Sequence, residues 1–385
     1  MHMIPLIRDL AVILGIGGLA ALLFQRLKQP VVLGYLVCGF LLGPNTPPFS
    51  WITDVQGVQI WSELGVIFLM FGLGLEFGPK RLLQVGLTPA VAGPFEALFM
   101  LAAGFACGKV AGWSNVDSIF LGGILAISST AIIIKALNEM KLKQQRFAEL
   151  VFGILVVEDL MGILILVFLS GIGESRGVSG IEMAGVVGKL FLVVGSWFLV
   201  GHFLIARFVG YVGRKSNDET LTLLSLGLCL GLVVLATWLH YSAALGAFVM
   251  GSILAGSSEV KRIERLMEPL RDVFASVFFV SIGMLLNPAD LVAQWRIIMA
   301  VTVITIAGKI FSTAFGAWIT GQSRSDSLKA GFAMAQIGEF SFIIAGLGLS
   351  LGVMSSFLYP VAVSVSVLTT FATPYLIRVS QKIKV

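Results

Sequence analysis

The sequence predicts an all-α polytopic membrane protein of thirteen transmembrane helices, arranged as two inverted repeats of six helices around a connecting helix. Three observations predict it. Of the 385 residues, 57% are hydrophobic and only 12% charged, with a mean hydropathy of +0.97, whereas a soluble domain carries about 25% charged residues. Lys and Arg fall on alternate connections between the apolar runs, and blocks of residues recur at an offset near 209.

The helices follow from apolar windows measured against the roughly 20 residues that cross a bilayer core. Helix 8–25 begins at Arg8 and ends before Arg26 and Lys28, and helix 30–43 is short and Gly-rich. Helix 60–77 stops before Lys80 and Arg81, and 87–110 closes on Lys109. Helix 117–138 is followed by a cationic loop, with Lys135, Lys141, Lys143 and Arg146 about its end. Helix 148–170 contains Phe152 to Leu169, eighteen residues almost wholly apolar apart from Glu158 and Asp159. Helix 183–208, with Arg176 and Lys189 at one end and Arg207, Arg214 and Lys215 at the other, connects the halves. Helix 219–239 precedes 242–255, again short and Gly-rich, and Lys261, Arg262, Arg265 and Arg271 lead into 271–286. Helix 293–319 carries Arg296 at its start and Lys309 deep inside; 328–349 has Arg324 before it and Lys329 in its first turn; 356–378 ends on Arg378, with Lys382 and Lys384 beyond.

One side of the membrane thus receives twenty of the 26 basic residues and the other five, with Lys309 between. Because Lys and Arg are retained on the cytoplasmic side, the amino terminus is expected outside and the carboxyl terminus in the cytoplasm. With no A-x-A-like cleavage site before the first helix, no removable signal peptide is expected.

The recurrences are in register. Gly74, Pro79 and Leu82 return as Gly283, Pro288 and Leu291, and Asp117, Ser118, Gly122 and Ala126 as Asp326, Ser327, Gly331 and Ala335. At offset 212, Leu33, Gly34 and Gly39 return as Leu245, Gly246 and Gly251. An odd number of crossings between the copies inverts one against the other, and such repeats build transporters with a site near mid-membrane.

Candidate site residues are the polar ones that hydrocarbon penalises. An ionised side chain at mid-bilayer costs at least about 2.5–3.5 kcal/mol, so intramembrane acids normally face a watery cavity, a counter-ion or a substrate. Glu158 and Asp159 are therefore read as an ion or proton site. The fifth and twelfth helices carry Ser128, Ser129 and Thr130, and Gln336, Gly338 and Glu339, at matching positions. These residues suit a broken helix whose freed carbonyls and half-helix ends bind ions; the competing reading is hydroxyl hydrogen bonding between packed helices. Glu339 offsets the half-helix dipoles or serves as a secondary proton site. Lys309 needs an anionic partner, for which Glu158 is the first choice. That pair is either a coupling device, releasing a proton when a cation competes for the carboxylate, or a permanent structural salt bridge.

Other classes fit poorly. The basic residues follow the topology and form no patch, so no nucleic acid is expected. Cys38, Cys107 and Cys229 lack metal or disulfide spacing, and His2, His202 and His240 lack ligand spacing, so neither an enzyme nor a resident cofactor is expected.

Leu64 to Phe77, Ser128 to Ala131, Val157 to Leu160, Leu245 to Ala255, Phe278 to Pro288, Gly308 to Ile310 and Ala335 to Phe342 together resemble the monovalent cation:proton antiporters of the second cation:proton antiporter branch, specifically the Kef-type potassium/proton antiporters and their YbaL-like relatives. The resemblance implies a sodium/proton-antiporter-like fold with broken crossover helices. It also implies a dimer domain (1–83 and 217–291), a core ion-transport domain (84–170 and 292–380) and a linker helix (183–208). Asp159 matches the ion-binding aspartate, Glu158 the residue before it and Lys309 the basic residue facing it. Potassium-selective Kef members have Gln where this chain has Glu158, which leaves ion choice and stoichiometry open. The resemblance further implies a homodimer in the cell inner membrane, surrounded by lipid, and a cytoplasmic nucleotide-binding regulatory domain beyond Val385. The expected function is exchange of a monovalent cation, potassium before sodium, for protons by alternating access, with the cation bound at Asp159. A cation channel and a bile-acid-transporter-like symporter are the competing classes.

Overall fold

Apolar runs and side-chain caps set the helix boundaries in the computed structural model, which describes residues 3–27, 29–46, 51–52, 54–76, 86–174, 188, 192–239 and 241–382. The helices are α1 (Met3–Arg26), α2 (Val31–Leu42), α3 (Val55–Glu76), α4 (Leu87–Val110), α5 (Asn115–Ala126), α6 (Thr130–Glu139) and α7 (Arg146–Glu174). They continue with α8 (Leu192–Gly213, with a π turn at Gly201–Ile205), α9 (Asp218–Trp238), α10 (Ala243–Leu254), α11 (Val260–Met284) and α12 (Pro288–Ala293). The last are α13 (Trp295–Ile319), α14 (Arg324–Ala333), α15 (Glu339–Ser350) and α16 (Leu358–Lys382). Ser114, Asn217, Ser242 and Ser323 cap α5, α9, α10 and α14, each side-chain oxygen accepting a backbone N–H of the first turn, which satisfies a donor the helix cannot.

Among the described residues, eight helices are long and apolar enough to cross a membrane, and α2, α5, α10 and α15 are shorter apolar helices. Helices 117–138 and 328–349, expected to be broken, are each two helices, parted at 127–129 and at 334–338. Two differences from the sequence reading have physical causes. Helix 271–286 is the apolar end of α11, which starts at Val260; the charges of its first turns hide that start from a hydropathy window. The short α12 begins at Pro288, where the ring suits a first turn. Residues 183–187 and 189–191 of the connecting helix, the recurrent Pro79 and Leu82, His2, His240, Phe77, Lys28, Lys80, Arg81, Arg176, Lys189 and Lys384 lie outside the described residues.

The chain divides into two units. One comprises Met1–Leu22, Gly34–Leu83 and Ser170–Met284. Here α3 packs along α10 and α11, and α9 against α10. The backbones of α3 and α10 meet at Gly74 and Gly251, where an added Cβ would collide with Phe248 O or Phe71 O; α2 and α11 meet likewise at Gly39 and Gly283. Ile13, Cys38, Leu42, Val58, Val277, Val280 and Met284 fill one of its cores.

The other unit comprises Leu23–Leu33, Gln84–Leu169 and Leu285–Val385. In it α4 lies between α5 and α13, α13 packs against α14, and α16 against α13, α14 and α15. Phe147, Val151, Ile154 and Leu155 of α7 join Ile133 and Leu137 of α6, Ala330, Ala333 and Met334 of the α14 end, and Ile377 of α16 in one core.

Candidate ion site

The two helix interruptions of this second unit lie against each other. Gly338 N–H donates to Ile127 O at 3.2 Å, Gln336 Nε2 to Ser129 O at 3.1 Å, and Ser128 Oγ to Met334 O at 3.2 Å. Neighbouring helices take up other freed groups: Thr369 Oγ1 accepts Ile337 N–H at 3.4 Å, Ser366 Oγ donates to Ile337 O at 3.1 Å, and Ser341 Oγ to Ile124 O at 2.6 Å. Irregular backbone survives at membrane depth only when its polar groups find partners in this way.

Charges are distributed as the half-helix dipoles require, cations at carboxyl ends and anions at amino ends. Lys309 Nζ donates to Ala126 O, the last residue of α5, at 2.9 Å. Glu339 opens α15, and Ser129 Oγ donates to its Oε2 at 2.8 Å. Asp159 stands by Thr130, the first residue of α6, whose Oγ1 donates to Asp159 Oδ2 at 3.4 Å.

Consecutive residues of a helix project about 100° apart, so the two adjacent acids of α7 have different surroundings. Glu158 is fully buried. Its Oε2 accepts Ser128 N–H at 3.0 Å, and its Oε1 lies 3.3 Å from both Ser128 Oγ and Lys309 Nζ. Asp159 is only half-buried. Lys309 also donates to Ser128 Oγ at 2.9 Å, and its Nζ lies 2.6 Å from Oε1 of Glu96 on α4.

Every site residue singled out in the sequence thus falls in one neighbourhood. Ser128, Glu158 and Lys309 form one hydrogen-bonded group, Ser129 and Glu339 a second, and Thr130 and Asp159 a third. Gln336 and Gly338 join the interruptions. Glu96 was missed by sequence reasoning, although the signal that exposed Lys309 was there: a lone charge inside the apolar run of α4. The three cysteines take no part in these contacts; Cys38 and Cys229 are buried in the first unit.

Two apolar helices interrupted at one level, with an acid, a lysine and hydroxyls gathered at the gap, define a polytopic membrane protein of the ion-transporter class. The chain belongs to the transmembrane sodium/hydrogen exchanger family, whose pattern matches residues 11–378. It is 33% identical to YbaL of Escherichia coli (strain K12), over 99% of this chain and 69% of YbaL. It is 30% identical to K(+) efflux antiporter 5 of Arabidopsis thaliana, over 97% of this chain and 66% of that protein. The chain therefore spans about two thirds of the length of these relatives. Its fold is that of the sodium proton antiporter MjNhaP1 from Methanocaldococcus jannaschii, matched with a TM-score of 0.78 at 17% identity over 99% of both chains.

Proposed function

We propose that this chain is a secondary active antiporter exchanging a monovalent cation, potassium before sodium, for protons by alternating access. The observation that carries the reading is the contact of two helix interruptions beside Asp159, Glu158 and Lys309. Potassium is favoured by the resemblance to Kef-type antiporters and by the name of the Arabidopsis relative.

In this mechanism Asp159 is the acid that proton and cation compete for. It is half-buried at the amino end of α6, where the partial positive charge of the helix and Thr130 Oγ1 hold the carboxylate when it is empty. Thr130 Oγ1 supplies an oxygen beside it, and Ser128, Ser129 and Glu158 are assigned to the same ion-binding set. Occupation by either a proton or a cation removes the net charge whose passage through hydrocarbon is penalised. The occupied unit then changes its access, and the empty, charged one does not, which makes transport an exchange. Glu339 stays at the start of α15 and stabilises that half-helix.

The finer architecture belongs to the same proposal. Counting α5 with α6 and α14 with α15 as single crossings, and α12 as none, yields thirteen, with the amino terminus outside and the carboxyl terminus inside the plasma membrane. Inverted repeats are supported by contacts that recur at the sequence offset. Ser114 accepts Asp117 N–H at 3.0 Å and donates to Asp117 Oδ2 at 2.8 Å, and Ser323 and Asp326 repeat both bonds at the same distances. Gly122 packs on Leu101 O as Gly331 packs on Ile310 O, 209 positions later. Gly39 against Gly283 becomes Gly251 against Gly74 when the halves are exchanged. We assign the unit of α3, α10 and α11 to the dimer domain of a homodimer and the unit of the site to the moving core, with a regulatory nucleotide-binding domain as partner.

The experiment is purified protein in liposomes with an internal pH-sensitive dye, challenged with lithium, sodium, potassium and rubidium. Proton movement is expected on potassium addition, and Asp159→Asn is expected to abolish it; intact exchange in that variant would refute the reading.

A further inference from the structure

Glu96 is a charge the exchange reading leaves unused. It is fully buried on α4, near Phe95 and Phe99, whose rings pack at a tilt against Phe315 and Phe311 of α13 at centroid distances of 5.5 and 5.4 Å. Its Oε1 lies 2.6 Å from Lys309 Nζ, closer than the 3.3 Å of Glu158 Oε1. An ammonium has three N–H groups, and four acceptors surround that of Lys309: Glu96 Oε1, Ala126 O, Ser128 Oγ and Glu158 Oε1. Glu96 is therefore the nearer of two carboxylates that share one ammonium. Glu158 is placed otherwise, next to Asp159 in the chain and hydrogen-bonded to Ser128 N–H in the gap, so a cation entering at Asp159 draws on Glu158 first.

We propose that Glu96 is a positioning residue of this site: it keeps Lys309 seated on the carboxyl end of α5 while Glu158 turns to the transported cation. The proposal rests on Asp159 being the exchanging acid. With Glu96 present, Lys309 has a second carboxylate and gives up Glu158 readily. Without it, Lys309 and the cation contend for one carboxylate.

The test is the potassium dependence of exchange by the full chain in liposomes, read with the pH-sensitive dye. Glu96→Gln is expected to raise the KM for potassium about tenfold with kcat held within about twofold, and Glu96→Asp to recover part of the shift. An unchanged KM in Glu96→Gln, whatever happens to yield or kcat, overturns the proposal and leaves Glu96 a structural charge. Should Glu96→Gln not fold, Glu96→Asp decides. Its carboxylate retreats by about 1.5 Å, one C–C bond, so a raised KM supports the proposal and an unchanged one overturns it. Asp159→Asn is run beside them, and persistent exchange there strikes at the Asp159 reading itself.

Discussion

A Cβ built on Gly338 would stand 2.6 Å from the Cα of Ser129, so the two helix interruptions touch backbone to backbone. Gly338 has φ −118° and ψ −159°, an extended conformation open to any residue. Proximity, not conformation, demands glycine. Ser129 and Gly338 are also 209 positions apart, the spacing at which short blocks of the sequence recur.

Gly338→Ala is therefore expected to part the interruptions. The neighbours it meets are Ser129 N, Cα and Cβ, which no side-chain rotation can move away, and overpacking of this kind costs about 1–3 kcal/mol. A lower Tm in detergent together with lost exchange is the expected result; a wild-type Tm contradicts the packing account.

Lys309→Met leaves two buried carboxylates, Glu96 and Glu158, without their shared ammonium. Removing one partner from a buried ion pair typically destabilises by about 3–5 kcal/mol. Denaturation in detergent measures the loss, and adding Glu96→Gln to that variant is expected to restore part of it, because one uncompensated charge goes.

Ser129→Ala deletes the hydroxyl that donates to Glu339 Oε2 at 2.8 Å. Glu339 keeps the favourable field of the α15 amino end, so the expected loss is about 1–3 kcal/mol and falls on the seam between the interruptions. Tm and the potassium dependence of exchange are both read, and a variant identical to wild type in both would remove Ser129 from the site.

Asp117 serves as a control away from the proposed ion site. Its Oδ1 accepts Ser355 N–H at 2.7 Å and its Oδ2 accepts Ser355 Oγ–H at 2.9 Å, tying the start of α5 to the loop before α16. Asp117→Asn is expected to lower stability by about 1–2 kcal/mol with the KM for potassium unchanged.

The topology has its own check. In a background free of Cys38, Cys107 and Cys229, Ala111→Cys is expected to react with an impermeant maleimide added outside intact cells. Gln144→Cys, in the cationic loop before α7, is expected to react only after permeabilisation. The opposite pattern reverses the orientation.

The sequence by itself determined what hydrocarbon enforces: which segments are apolar, where their basic flanks fall, and that Asp159, Glu158 and Lys309 are charged residues set inside such segments. Those are local consequences of transfer free energy, legible one window at a time. The recurrence at 209 positions was legible for the same reason, since small residues and caps repeat wherever the packing repeats. The polar residues at Ser128–Thr130 and Gln336–Glu339 pointed to broken helices, but only the tertiary structure set the bounds at 127–129 and 334–338, because partners such as Ile127 O for Gly338 N–H come from far along the chain. It alone separated the adjacent acids of α7 into a buried Glu158 and a half-buried Asp159. It also set Glu96 of α4 against Lys309 of α13, 213 positions away, because the meeting of charges depends on which helix faces turn together, and helical periodicity leaves that to packing.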